Sequence, residues 1–348
     1  MKKHTPYVPR ALLLFSALGV LGLLSIPAAC FFGSRELDSA LTADFLLRFW
    51  KEALFGLNAG PLAGEEEKLR IIVTKIRLAR VCLSYMAGAG LALAGVTFQG
   101  ILRNPLADPF TLGISGGAAL GAALAISFGV SALLLPFWAL GGAALALFAV
   151  LILSVRGGLR QESLILAGVV VSAFLAALIA LVKTLNEDSV SSIVFWVMGS
   201  FQNRTWEDVK MIFPFCIVGM LPLLLMRREL DLLSLGEDTA RLLGLHAARA
   251  RFILLLSASC LSAACVAVSG IVGFVGIIVP HFIRILQGPK HGALMINSAL
   301  AGGILLLWAD TLARSALPMG QELPVGVLTA LLGGPFFCLI LNRKNRAF

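Results

Sequence analysis

Uncharged apolar runs, separated by short polar or glycine- and proline-containing stretches, succeed one another along almost the whole chain. A run of about 17–25 apolar residues matches the hydrocarbon core of a bilayer, so each is read as one membrane-spanning helix. Ala11 to Ser34 is the first, and Val81 to Leu102 the second. Pro109 to Val155 is free of charge but too long for one helix, and it must fold back around Gly129 to Pro136 into spans three and four. Leu164 to Val182 is the fifth and Met211 to Met226 the sixth. Phe252 to Ile283 is again too long, and Ser269-Gly270 is its natural break into spans seven and eight. Gly292 to Ala309 and Leu323 to Asn342 complete the set. The pattern predicts an all-α polytopic membrane protein, a single domain over residues 1–348 with about ten transmembrane helices and cytoplasmic termini.

Two polar stretches and one short apolar one interrupt this pattern. The stretch from Arg35 to Arg80 holds Glu65-Glu66-Glu67 and is expected as an outer loop with a surface helix near Leu41 to Leu57. Ser189 to Asn203 is apolar but too short to span, and is read as a helix dipping at the outer surface. Arg227 to Arg251 is expected as a cytoplasmic loop. Within it, Ser234 and Glu237 have the S-x-x-E spacing of a capping box, and Gly244 stands where a helix would stop. A helix of about two turns, Leu235 to Leu243, follows. Glu237 and Asp238 in its first turn and Arg241 near its end complement the helix dipole. So short a helix is unstable alone in water, which makes an exposed one between spans a candidate docking surface.

Composition supports the membrane reading: 59% of residues are hydrophobic and 14% charged, against about 25% charged in soluble domains. The net charge of +9 does not require a nucleic-acid partner. With the N-terminus inside, 16 of the 28 Lys and Arg residues fall on the cytoplasmic side and 12 outside, 8 of these between Arg35 and Arg80. Apart from that one stretch, the distribution follows the positive-inside rule. Lys2, Lys3 and Arg10 before an apolar run ending Pro27-Ala28-Ala29-Cys30 imitate a lipoprotein signal peptide. The length of the run and the many spans after it favour an uncleaved first helix. All six cysteines lie in apolar segments without a C-x-x-C pair, and read as small buried hydrophobes.

Candidate chemistry is sparse. Gly113-Ile114-Ser115-Gly116-Gly117 matches G-x-S-x-G, which makes an intramembrane serine hydrolase using Ser115, with His281 as base, the alternative from another functional class. The motif needs a strand before it, and none is expected. His4, His246, His281 and His291 lack metal-ligand spacing, and no Walker A sequence is present. Asp310 and Arg314 are expected to pair at i,i+4 at the outer end of span nine. Few other charges fall at mid-membrane depth, which disfavours an ion-coupled carrier. Glycines clustered with alanines, as at Gly88, Gly90, Gly116, Gly117, Gly302 and Gly303, predict closely packed membrane helices.

Three stretches carry a specific resemblance. The first runs from Arg77-Leu78-Ala79-Arg80 through Gly88, Gly95 and Gln99 to Arg103-Asn104-Pro105-Leu106-Ala107-Asp108-Pro109. The second is Leu235-Gly236-Glu237 through Ala240, Leu243 and Gly244. The third runs from Ser269-Gly270 through Gly273, Gly276, Pro280-His281, Arg284, Asp310 and Arg314 to Glu322-Leu323-Pro324-Val325-Gly326 and Gly334-Pro335-Phe336. Together they resemble the permease subunits of the FecCD family, type II ABC importers for iron–siderophores, haem and cobalamin. The resemblance implies a homodimer in the bacterial inner membrane, enclosing a central pathway. Two ATP-binding cassette ATPase subunits would sit below it and a periplasmic or lipid-anchored substrate-binding protein above. ATP and magnesium would be bound by the ATPases, so the chain itself would be no enzyme and hold no cofactor or metal. Leu235, Gly236, Glu237, Ala240, Arg241, Leu243 and Gly244 would form the coupling helix seated in the ATPase. Arg77, Arg80 and Arg314 would receive glutamates of the binding protein; otherwise Arg314 pairs with Asp310, and Arg77 and Arg80 are snorkelling anchors. Asn104 and Leu106, with Glu162 and Ser163, match positions near a cytoplasmic gate, although Gln161-Glu162 is bulkier and more charged than is usual there. Iron(III)–siderophore is the commonest cargo of the family, with cobalamin and haem as alternatives that no residue separates.

Overall fold

A computed structural model of the chain describes residues 10–33, 37–55, 64–155, 157, 159–317 and 321–345. The apolar runs are helices, because only a helix satisfies every backbone N–H and C=O within one segment in lipid. They are α1 (Arg10–Ala29), α2 (Ser39–Phe55), α3 (Glu65–Ile71), α4 (Leu78–Ile101), α5 (Ile114–Ser127), α6 (Leu135–Val155), α7 (Gln161–Leu185), α8 (Val190–Val197), α9 (Trp206–Leu225), α10 (Arg227–Ser234), α11 (Glu237–Leu242), α12 (Ala247–Ser269), α13 (Val275–Gln287), α14 (His291–Ser315) and α15 (Val325–Asn345). Among the described residues, seven helices are long and apolar enough to cross a membrane, and α5, α13 and residues Val325–Phe336 of α15 are shorter apolar helices. These helices coincide with the predicted runs. α8 takes the place of the short outer helix, and α2 lies close to the expected surface helix.

The stretch before span two differs from expectation. Residues Glu65–Ile101 form one 37-residue helix, with a π-helical segment, Ile72–Arg77, joining α3 to α4. Arg77 and Arg80 therefore lie within a helix and not at the rim of a loop. Charge marks the end of a span only when it must reach water; these two side chains, each 6% exposed, find acceptors inside the protein instead.

α4 is the hub. It is buried along nearly its whole length and packs most extensively on α14, then on α12 and α13. The approach to α14 depends on Gly88, where an added Cβ would stand 2.2 Å from the Gly302 carbonyl oxygen. At Gly95 it would stand 2.0 Å from the Gly276 oxygen of α13. Gly88→Leu or Gly95→Val is expected to abolish recovery of monodisperse protein by size-exclusion chromatography of a detergent extract. Gly141→Ala, where nothing lies within 4 Å, should leave the yield unchanged.

The break between α12 and α13 falls at Ser269-Gly270 as predicted. Gly270 has φ 66°, and a Cβ there would meet the Trp196 oxygen at 2.2 Å. Only glycine meets both conditions without strain. The outward faces of α1, α7 and α9 expose Leu23, Leu166, Phe174 and Leu225, a surface suited to lipid.

Candidate functional site

The polar segment between α9 and α12 is fastened to the helix bundle at several points. Leu230 and Leu233 of α10 are buried, and the Leu230 Cδ1 lies 2.8 Å from where a Cβ on Gly100 would be, so α10 seats on the inner end of α4. Asp231 Oδ1 accepts the His291 backbone N–H at 3.0 Å and meets His291 Nδ1 at 2.6 Å, capping α14. Arg251, 5% exposed, donates to the Leu159 oxygen at 2.8 Å and to Glu237 at 3.2 Å.

The capping box is not formed. Ser234 belongs to the last turn of α10, where its hydroxyl donates to the Asp231 oxygen at 2.7 Å. The N-cap of α11 is Gly236, with φ 113° and no side-chain cap. Glu237 instead accepts from Arg241 at 2.5 Å and from Arg251. The helix is accordingly Glu237–Leu242, shorter than Leu235 to Leu243, because the chain turns at Leu235 and Gly236. Its C-terminus follows expectation. Gly244, at φ 83°, donates to Arg241 O at 2.9 Å, and Leu245 N donates to Ala240 O at 3.0 Å; these paired bonds are a Schellman stop. Ala240 is buried, whereas Leu235, Leu242 and Leu243 are 60%, 87% and 59% exposed. Three projecting leucines on a doubly anchored segment form an exposed apolar patch.

The Asn-Pro-Leu-Ala turn lies beside it. The Arg103 Nη1 is 3.6 Å from the Cβ position of Gly236. Asn104 Oδ1 accepts from Leu106 N at 3.0 Å, and the Leu106 side chain is exposed. Glu162, exposed, and Ser163 open α7, where the Ser163 oxygen accepts from Ser154 at 3.2 Å. No hydrogen bond joins Asn104 or Leu106 to Glu162 or Ser163 among the described residues. α7 packs instead on the chain just after the turn, with a Cβ on Gly168 falling 2.1 Å from Thr111 O. The sequence reading gave no role to Asp108, whose Oδ1 accepts from Phe110 N, Thr111 N and Thr111 Oγ1 at 3.1, 3.1 and 2.9 Å and holds the turn. An Asp three residues before a Thr at a chain reversal was the available signal.

At the opposite end, Arg80 grips Asp310 with two bonds of 2.8 Å and Glu322 with bonds of 2.8 and 3.0 Å. The expected Asp310–Arg314 pair is not formed. The close packing of α4 on α14 places Arg80 opposite Asp310, and a bidentate fork is the stronger geometry. Arg314 turns to Ala29 O at 2.8 Å and Thr311 Oγ1 at 3.3 Å, and Arg77 donates to Cys30 O at 2.9 Å. Arg77, Arg80 and Arg314 are 6%, 6% and 3% exposed. They are thus inside the bundle and not displayed on its outer surface, and a glutamate reaching Arg80 would have to compete with two carboxylates already bound.

The model of the FecCD transport family matches residues 20–343. The chain belongs to the FecCD family. Among its relatives, the Fe(3+)-citrate import system permease protein YfmE of Bacillus subtilis is 39% identical over 82% of this chain and 86% of its own. The cobalamin import system permease protein BtuC of Halobacterium salinarum is 40% identical over 83% and 79%. A solved structure of a metal-chelate type ABC transporter in an inward-facing conformation aligns with TM-score 0.79 and 31% identity, over 95% of this chain and 99% of that one.

As a FecCD protein, the chain is a polytopic membrane permease of a metal-chelate type ABC importer and not a catalytic enzyme. The serine-hydrolase alternative is overturned. Ser115 is fully buried in the first turn of α5, its hydroxyl bonds to no side chain or backbone group, and a left-handed Gly113, not a strand, precedes it.

Proposed function

We propose that this FecCD permease imports an iron(III)–siderophore from periplasm to cytoplasm by alternating access, as a homodimer in the bacterial inner membrane. Two ATPase subunits, which bind ATP and magnesium, would engage the α10–α11 segment, and a periplasmic or lipid-anchored binding protein would deliver the chelate. The observation that carries this reading is the exposed Leu235, Leu242 and Leu243 on a segment tied to α4, α12 and α14. Such a segment can both hold a partner and pass its movement on. Asn104 and Leu106, with Glu162 and Ser163, lie at the same end and are assigned to the inner gate. The buried Arg77, Arg80 and Arg314 serve docking indirectly, by fixing the surface on which the binding protein sits.

Relatives of nearly equal identity are named for an iron chelate and for cobalamin, so cobalamin is the second reading, with haem beside it. Uptake by proteoliposomes holding the permease, its ATPase and its binding protein tests the choice. ATP-dependent accumulation of radioiron from a hydroxamate siderophore is expected. Accumulation of cobalamin or haem instead establishes the second reading, and uptake without the ATPase sinks both.

A further inference from the structure

We infer that α14 is the lever that carries movement of the ATPase-facing segment to the outer mouth, with Asp231 and His291 as its inner joint and Arg80, Asp310 and Glu322 as its outer joint. This rests on the importer reading above and adds the route inside the chain. At the inner end, a single carboxylate oxygen of α10 holds both the backbone N–H and the ring of His291, the first residue of α14. The ring is also wedged at the foot of α4, with Nε2 3.0 Å from where a Cβ on Gly100 would be. α10 is therefore bonded directly to the start of α14 where that helix meets the foot of α4.

α14 is suited to transmit such movement. It is 25 residues long with no proline, and at about 1.5 Å per residue His291 and Asp310 lie about 28 Å apart. It packs against α4 through glycines, Gly302 on Gly88, with the Tyr85 ring over Gly303. Packing this close transmits strain and does not absorb it, so a shift at the foot of α14 is carried along the helix.

At the outer end α14 meets a joint that mirrors the inner one. Asp310 holds Arg80, and Arg80 holds Glu322 of the chain returning to α15. Leu323 N donates to Ala313 O at 3.0 Å, tying that chain to α14 a second time. Glu322 and Pro324 are the lip of an outer cavity of about 370 Å³, whose other walls include Trp196, Ser200, Gln202 and Arg204. A shift of α14 thus moves this lip. The charge-assisted bonds at both joints are directional and short, and they convert displacement on one side into displacement on the other without slack.

Spatial intermediacy alone does not establish a route; coupling between its ends does. The test uses the complete complex of permease, ATPase and binding protein in lipid nanodiscs, reading ATP hydrolysis with and without the binding protein. His291→Ala removes the ring bond of the inner joint, leaving only the backbone N–H on Asp231, and Glu322→Ala releases the outer chain from Arg80. Each is expected to keep unstimulated hydrolysis and to lower the binding-protein-stimulated increment about tenfold, and the double variant should be no lower than either alone, the non-additivity of one shared route. His291→Asn, which keeps an N–H for Asp231, should recover most of the increment. Losses that multiply in the double variant, or an increment unchanged in either single one, overturn the lever. If His291→Ala does not assemble, Asp231→Ala opens the same joint from the α10 side and is read the same way. A wild-type complex whose hydrolysis ignores the binding protein sinks the importer reading itself, which separates that failure from this one.

Discussion

Changing Leu242 and Leu243 together to aspartate is expected to abolish ATP-driven transport and ATPase association while leaving the permease folded. The two side chains are 87% and 59% exposed, so the isolated chain loses little apolar contact, and surface changes of this kind lie within about 0.5 kcal/mol. A partner that buries them loses two central apolar anchors and must desolvate two carboxylates. Hot-spot losses of about 2 kcal/mol each at the least sum to about 4 kcal/mol, or about 700-fold weaker association at about 1.4 kcal/mol per factor of ten. Gly236→Pro reaches the same end by another route, because proline holds φ near −65° whereas Gly236 has φ 113°. Exchanging Glu237 and Arg241 for alanine removes the bond of 2.5 Å within α11 and the tie to Arg251, and is expected to weaken coupling less. The measurements are co-purification of the ATPase and uptake per ATP hydrolysed. Normal coupling in Gly236→Pro would mean that this segment transmits nothing.

Arg80→Ala is expected to unfold the protein and not only to weaken docking of a binding protein. Its removal leaves the side chains of Asp310 and Glu322, 1% and 14% exposed, without their cation. Breaking a buried ion pair from one side costs about 3–5 kcal/mol, a large part of a typical stability of about 5–15 kcal/mol. The expected result is loss of folded protein in thermal unfolding and extraction yield. Arg80→Met with Asp310→Leu and Glu322→Gln, which removes the stranded charges together, should recover folding. Were Arg80 a surface contact for the binding protein, Arg80→Ala would unfold at the wild-type temperature and lose only that affinity, and this outcome would refute the internal role.

The difference between these two sites shows why one was legible in the sequence and the other only partly. The α10–α11 segment is made by local rules: positive φ at Gly236 and Gly244, acidic residues before Arg241, and leucines with no hydrophobic partner in reach. These act within a few residues, so its position and exposure could be read, although the assignment of Ser234 as cap failed. Ser234 and Glu237 have the right spacing for a box, but the turn at Gly236 separates them into different helices. At the outer end, Asp310 and Arg314 also have the right spacing for a pair. The competing partner, Arg80, is 230 positions away in sequence and reaches Asp310 with both its Nε and Nη2.

The run of apolar segments, the reversals near Gly129 and at Gly270 and the family all follow from the chain read in order. Each depends on hydrophobic length or short motifs, which are properties of neighbouring residues. The tertiary structure alone decided that residues 65–80 continue the helix of span two, that Arg77, Arg80 and Arg314 turn inward, and that Asp231 is bonded to the start of α14 and Glu322 to Arg80. Those outcomes depend on which helices can approach through Gly88, Gly95 and Gly302, and hence on which distant groups come within hydrogen-bond reach. A buried charge takes the best-aligned partner that packing supplies, and sequence distance places no limit on that choice.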